Sequence, residues 1–171
     1  MDIISKFTIA SEEGLRHLFS LRKTQYTQQY QETVNADNLA NYITTQLDAK
    51  EAILELNNLS TQMLSVFVKE EPVGYVLIKQ TPSPEILKDL KVINYAPFYI
   101  SADHNNAEVR DSLWNKSLSL VCNYDAIWTE VLQSDPLIPS LEQWGFKVEE
   151  QSMMAPFGKP SYIMIRRKSN V

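Results

Sequence analysis

The sequence predicts an α/β fold built on a mixed sheet, and three observations carry that expectation. Apolar residues recur at helical spacing through the first third of the chain. They then gather into short β-rich runs, and after that helical and strand patterns alternate. The length, 171 residues, suits a single domain spanning 1–171 that buries about 70% of its extended surface. Glycine is scarce: there are four, Gly14, Gly74, Gly145 and Gly158, where average usage gives about twelve. None lies close enough to another to form G-x-G-x-x-G or G-x-x-x-x-G-K-[ST], so a dinucleotide fingerprint and a Walker phosphate loop are both excluded.

Each element has its own signal. Ile3–Ile9 reads as a strand. Ser11 then caps a helix, with Glu12 and Glu13 where the dipole favours anions. Leu15, Leu18, Phe19, Arg22, Tyr26 and Tyr30 form one face of that helix. Asn35 or Asp37 opens a second helix carrying Leu39, Tyr42, Ile43 and Leu47. Asp48 with Glu51 makes a capping box for a third. Met63–Val68 and Val73–Ile78 flank Glu70-Glu71-Pro72 as an antiparallel hairpin. Thr81–Leu90 is a loop with two prolines. Val92–Ile100 is a strand in which Pro97 removes a ladder donor, predicting a bulge or the end of pairing. Asp103–Asn106 starts a long helix whose Val109, Leu113, Trp114, Ser117, Leu120 and Val121 face a sheet. Ala126–Leu132 is a strand, Pro136–Trp144 a short helix stopped by Gly145, and Phe146–Met153 and Ser161–Arg166 close the chain as strands.

Composition narrows the function classes. Net charge is −5 and Arg166-Arg167-Lys168 is the one dense basic run, so no nucleic-acid partner is expected. The longest uninterrupted apolar run is four residues, as in Tyr75–Ile78, so no membrane span is expected. A single cysteine, Cys122, forms no internal disulfide and no cysteine-based metal cluster. Together with a start, Met1-Asp2-Ile3-Ile4-Ser5-Lys6, that has no apolar leader, this leads us to expect a cytoplasmic protein without a metal cofactor. Cys122 itself is expected in the core, on a mainly apolar helix.

Three local words, in order, resemble the GNAT superfamily of N-acetyltransferases. Val66-Phe67-Val68-Lys69-Glu70-Glu71-Pro72-Val73-Gly74-Tyr75 is similar to its second and third strands. Phe98-Tyr99-Ile100 followed by a helix is similar to its fourth strand and central helix, and Ser140-Leu141-Glu142-Gln143-Trp144-Gly145-Phe146 to its closing "F-Y-e-k-l-G-F". The resemblance covers almost the whole chain. It implies a GNAT-like, mostly antiparallel twisted sheet of about six to seven strands whose fourth and fifth members splay apart. Acetyl-CoA, or another acyl-CoA, would lie in that gap. Its pantetheine arm would run along Phe98 and Ile100, and its pyrophosphate would rest on N–H groups at the helix start. The acceptor would be a small-molecule or peptide amine. Many relatives pair, so a homodimer is one option, and the oligomeric state stays open.

The resemblance also places site residues. The family's Q/R-x-x-G-x-G/A loop falls on Asn105, Asn106, Ala107, Glu108, Val109 and Arg110, so Glu108 and Arg110 stand where small residues let a backbone approach a diphosphate. A Glu108 carboxylate within 4 Å of a phosphate charge would cost about 4 kcal/mol at an effective dielectric near 20, and far less if turned to solvent. Leu141 stands where the family's thiolate-protonating tyrosine is, and Ser134 where many members carry asparagine. Glu130 occupies a general-base position of some members, against the plainer reading of a solvent-facing strand residue. Tyr99 lies near the acyl position, against that of a tyrosine at the core edge. His104 adjoins the phosphate loop but reads more simply as a loop histidine, and His17 as structural. The expectation is an acyl-CoA-dependent N-acyltransferase of weakened activity or unusual donor. The alternative, motivated by Glu108 and Leu141, is a non-catalytic binding or interaction module on the same fold.

Overall fold

The computed structural model describes residues 2–169. Strand β1 (Ile3–Phe7) leads into α1 (Glu12–Tyr30), α2 (Ala36–Gln46) and α3 (Ala49–Asn57). Strands β2 (Thr61–Val68), β3 (Glu71–Lys79) and β4 (Val92–Ile100) follow, then α4 (Ala107–Leu120), β5 (Ala126–Leu132), α5 (Ile138–Gln143), β6 (Lys147–Met154) and β7 (Lys159–Arg167). The seven strands form one sheet in the order β1-β2-β3-β4-β5-β7-β6. Every neighbouring pair is antiparallel except β4–β5, which is parallel. Mixed and mostly antiparallel, the sheet is the one the sequence led us to expect.

Capping residues do what their chemistry predicts. Ser11 Oγ accepts the Gly14 N–H at 3.0 Å, Asn35 the Asp37 N–H at 2.9 Å and Asp48 the Glu51 N–H at 3.0 Å. Gly145 closes α5 at φ +96°, with the Phe146 N–H returning to the Leu141 carbonyl at 3.0 Å. The hairpin between β2 and β3 turns one residue earlier than expected, at Lys69 and Glu70, both with positive φ, while Pro72 pairs inside β3. The left-handed pair matches the twist of a tight two-residue turn, and a register shift between Val66 and Phe67 absorbs the offset. Strand β1 stops at Phe7 rather than Ile9, because the Ile9 carbonyl turns to accept the Ser11 N–H at 2.8 Å.

Two layers cover the sheet. On one face Val109, Leu113 and Trp114 of α4 pack on Leu64, Val76, Ile93, Phe98 and Ile127; on the other Leu18 and Leu21 of α1 and Ala52 of α3 pack on Met63, Tyr75 and Leu77. Cys122 lies outside both layers and is exposed, contrary to expectation. Helix α4 ends at Leu120, so the periodicity that would carry position 122 inward has already stopped.

Gly14 has a packing reason. A Cβ there would lie 1.9 Å from the Ile9 carbonyl oxygen, which is backbone and cannot rotate away. Alanine in a helix interior normally gains about 1 kcal/mol over glycine. Here Gly14→Ala is expected to reverse that sign, lowering the midpoint of chemical unfolding, because α1 must part from the end of β1 to admit the methyl group. An unchanged or higher midpoint would contradict the fit.

Candidate functional site

The site begins where the sheet stops being continuous. Strand β4 pairs with β5 at Val92–Ala126, Ile93–Ile127 and Asn94–Trp128. One more link follows: the Thr129 hydroxyl donates to the Tyr95 carbonyl at 2.7 Å, fully buried. Beyond it the strands diverge, β4 staying with β3 and β5 with β7. Pro97 sits at the start of the divergence and brings no N–H to extend the ladder.

Strand parity says which groups face the gap. The Ser101 N–H bonds to the Val73 carbonyl at 2.8 Å, so position 101 and its alternates turn their main chain toward β3. In an antiparallel pair the intervening residues turn theirs the other way. Phe98 and Ile100 therefore direct N–H and C=O groups at the gap, while their side chains join the core under α4.

A cavity of about 160 Å³ lies in the mouth of this fork, lined by residues that include Gln28, Tyr99, Ile100, Ser134, Asp135 and Leu137. The Tyr99 hydroxyl donates to Gln28 Oε1 at 2.5 Å, and the same oxygen accepts the Ala102 N–H at 3.2 Å. Burial pushes the Tyr99 hydroxyl well above its ordinary pKa, with the carboxylates of Asp103 and Asp135 adding to the shift. Tyr99 therefore holds its proton throughout the neutral range. Asp135 accepts the Leu137 N–H at 2.8 Å, supplying the cap that α5 otherwise lacks. Burial pushes its carboxyl up to about 6, outweighing that single hydrogen bond. Two titratable groups thus line one cavity with protons held at very different strengths, a pattern that separates acid from base.

The remaining expected residues are distributed as follows. Ser134 lies at the cavity's exposed lip. Glu130 is half-buried on the face of β5 opposite α4, where it accepts the Ser161 hydroxyl at 2.6 Å, and it is not among the residues lining the cavity. At the start of α4, Asn106 accepts the Val109 N–H at 3.1 Å, and the Val109 side chain is completely buried. Arg110 Nη1 donates back to the Asn105 carbonyl and to Asn105 Oδ1 at 2.9 and 2.8 Å, tying the loop shut from within. Ala107 and Glu108 are exposed, their N–H groups have no acceptor among the described residues, and the Glu108 side chain lies outside the cavity lining. His104 is half-buried and its Nδ1 stands 3.2 Å from the Ser101 hydroxyl. His17 meets Phe67 edge-on at 5.2 Å. Leu141 is 1% exposed, its side chain wholly in the core.

Asp135 is the residue sequence reasoning missed. Its signal was present in Ser134-Asp135-Pro136, a turn former followed by proline at the mouth of a strand, but only the fold shows which cavity it enters. No cluster of three or more His, Cys, Asp or Glu side chains able to hold a metal occurs among the described residues. Nor is any described helix long and apolar enough to cross a membrane.

No family model matches the sequence, and no curated protein matches it either. Solved structures do match in shape. The PaiA N-acetyltransferase of Thermoplasma acidophilum, crystallised with coenzyme A, aligns with 98% of this chain and 100% of its own at 14% identity and a TM-score of 0.76. An acetyltransferase of Streptococcus agalactiae aligns with 97% of this chain and 98% of its own at 14% identity and 0.70. A Desulfovibrio desulfuricans structure assigned to the GNAT acetyltransferase family aligns with 97% and 99% at 10% identity and 0.64. The chain has the GNAT fold.

Proposed function

We propose that this chain transfers an acyl group from an acyl-CoA thioester to an amine, acetyl-CoA being the first donor to try. The observation that carries the reading is the fork: two diverging strands with a hydroxyl that keeps its proton and a carboxylate poised near neutrality on the walls of one cavity. Support comes also from the fold, and from the coenzyme A in the Thermoplasma acidophilum complex. The residues present fit such a ligand. Phe98 and Ile100 offer main-chain hydrogen bonds along β4, and Ala107 and Glu108 offer free N–H groups at a helix start. The Glu108 carboxylate lies on the solvent side, where its repulsion is screened.

Bound there, an acyl-CoA would supply an activated carbonyl with a thiolate leaving group. Asp135 Oδ2 takes the proton from the attacking amine, and does so above about pH 6, where the carboxyl is ionised. Tyr99 Oη would pass to the departing sulfur the proton it now donates to Gln28 Oε1, the task that buried Leu141 cannot perform. Gln28 fixes the Tyr99 hydroxyl and thereby its angle to the cavity.

Calorimetry with acetyl-CoA, followed by product analysis on a panel of amines, tests the reading; no heat and no thermal shift at millimolar ligand would remove it. If it holds, Tyr99→Phe lowers kcat/KM by about 100-fold, within the usual range for a positioned proton donor. Asp135→Asn removes the rise in activity near pH 6. It also raises the melting temperature at pH 7–8 but not near pH 4. The sign follows from linkage: a carboxyl held above its ordinary pKa in the fold resists ionisation, so its cost to stability sets in as the unfolded chain ionises and is complete above about pH 6. A second reading, a binding module without turnover, draws on Leu141 and Glu108, the first buried in the core and the second turned to solvent. It predicts ligand heat with no product.

A further inference from the structure

On the α1 and α3 face, a second cavity of about 470 Å³ has Ala96 and Pro97 in its wall, Pro97 standing where β4 begins to leave β5. Its floor is charged. Arg22 Nη2 donates to Glu55 Oε2 at 3.0 Å, and Lys79 Nζ meets Glu55 Oε1 at 2.5 Å. Two cations therefore share one carboxylate. Arg22 is only 9% exposed, and its Nε has no acceptor among the described residues. No other charged side chain stands at the floor among the described residues that line the cavity. The Tyr75 hydroxyl is spent on Gln25, and burial keeps both Tyr75 and Tyr26 protonated. Asp48 and Glu51 stand at the exposed rim, Asp48 already capping α3.

The floor thus carries one uncompensated positive charge in a chain whose net charge is −5. Partly desolvated charge of that kind is expensive unless an anion and its hydrogen bonds complete it. A carboxylate supplies such an anion, and an acyl acceptor that carries one is an amine bearing a carboxylate.

We propose that this cavity binds the acceptor, and that the acceptor is an amino acid or peptide whose carboxylate sits against Lys79 and Arg22 while its amine turns toward Ala96–Pro97 at the fork. The direction of the amine rests on the acyl-transfer reading; the carboxylate site does not. Lys79 is the better probe of the two cations, being the more exposed.

The full chain, without acyl-CoA, is titrated by calorimetry with an amino acid, with the amine left by its decarboxylation, and with a tripeptide. The carboxylate-bearing ligands are expected to bind at least tenfold more tightly than the amine. Lys79→Met should abolish the preference and Lys79→Arg retain it, with melting curves reporting that both variants fold. Preference for the free amino acid or for the tripeptide upholds the site and identifies the source of the carboxylate. Equal or tighter binding of the decarboxylated amine, or a preference surviving in Lys79→Met, overturns it. If the preference is present but acetyl-CoA yields no product, acyl transfer fails while the site stands. If product forms equally well on the decarboxylated amine, the site fails while acyl transfer stands.

Discussion

A Gly74→Val variant will melt well below the parent chain and, on the acyl-transfer proposal, will bind acyl-CoA poorly even where it remains folded. Gly74 lies in β3 opposite Ile100, and a Cβ there would stand 2.6 Å from the Tyr99 carbonyl oxygen and 2.6 Å from Ile100 Cδ1. The Ile100 methyl can rotate aside, but the Tyr99 carbonyl belongs to the ladder. Strand β4 must move away from β3 at the point where it presents Tyr99 and Ile100 to the fork. Overpacking a well-filled core costs about 1–3 kcal/mol, and a rigid obstacle puts this case at the upper end. For a chain of this size, about 3 kcal/mol lowers Tm by about 6–12 °C. Thermal melts of Gly74→Ala and Gly74→Val should be graded, alanine milder than valine. Equal melting of all three chains would mean that the strands have room the packing does not show.

Glu55→Gln is the second large effect, and it depends on pH. Removing the carboxylate leaves Arg22 buried and Lys79 half-buried with no counter-charge between them. Breaking a buried pair by deleting one member costs about 3–5 kcal/mol, and the partial exposure of Glu55 and Lys79 brings the expectation to about 3 kcal/mol. Burial alone would raise the Glu55 pKa, but Arg22 and Lys79 outweigh it and hold the carboxyl below its usual 4.5. A carboxyl of depressed pKa stabilises the fold above its unfolded value, and that contribution is lost as the pH falls through the folded one. The two chains should therefore differ most at neutral pH and converge in acid. Urea midpoints at pH 7 and below pH 4 measure this, and a constant gap across that range would show the effect to be steric rather than ionic.

What the sequence reveals, and what it hides, divides along the range of the interactions. The caps at Ser11 and Asp48 were legible, and those at Asn35 and Asn106 to within a few positions, because each donor lies within three residues of its acceptor. The hairpin was legible from two β-rich runs around a polar turn, although its apex fell one residue early because Lys69 and Glu70 adopt positive φ without glycine. The splay of β4 from β5 had a local trace in Pro97. The Arg22–Glu55–Lys79 cluster had none. Its members come from α1, α3 and β3, and no periodicity relates residues 33 apart in sequence. Asp135 was hidden for a similar reason: a turn residue looks the same whether it faces water or a cavity. Cys122 was misplaced because a helical pattern was extended past the residue where the helix ends.

The Thr129–Tyr95 bond has a thermodynamic consequence. A buried hydroxyl joined to a backbone carbonyl rivets the two strands just before they separate, so the aperture beyond it is built into the fold. A guest entering there breaks no ladder and pries nothing open, and its affinity reflects its own fit to the walls with little discount for reorganisation. The separation belongs to the fold itself, and the sheet forgoes there the ladder hydrogen bonds that continued pairing would have made.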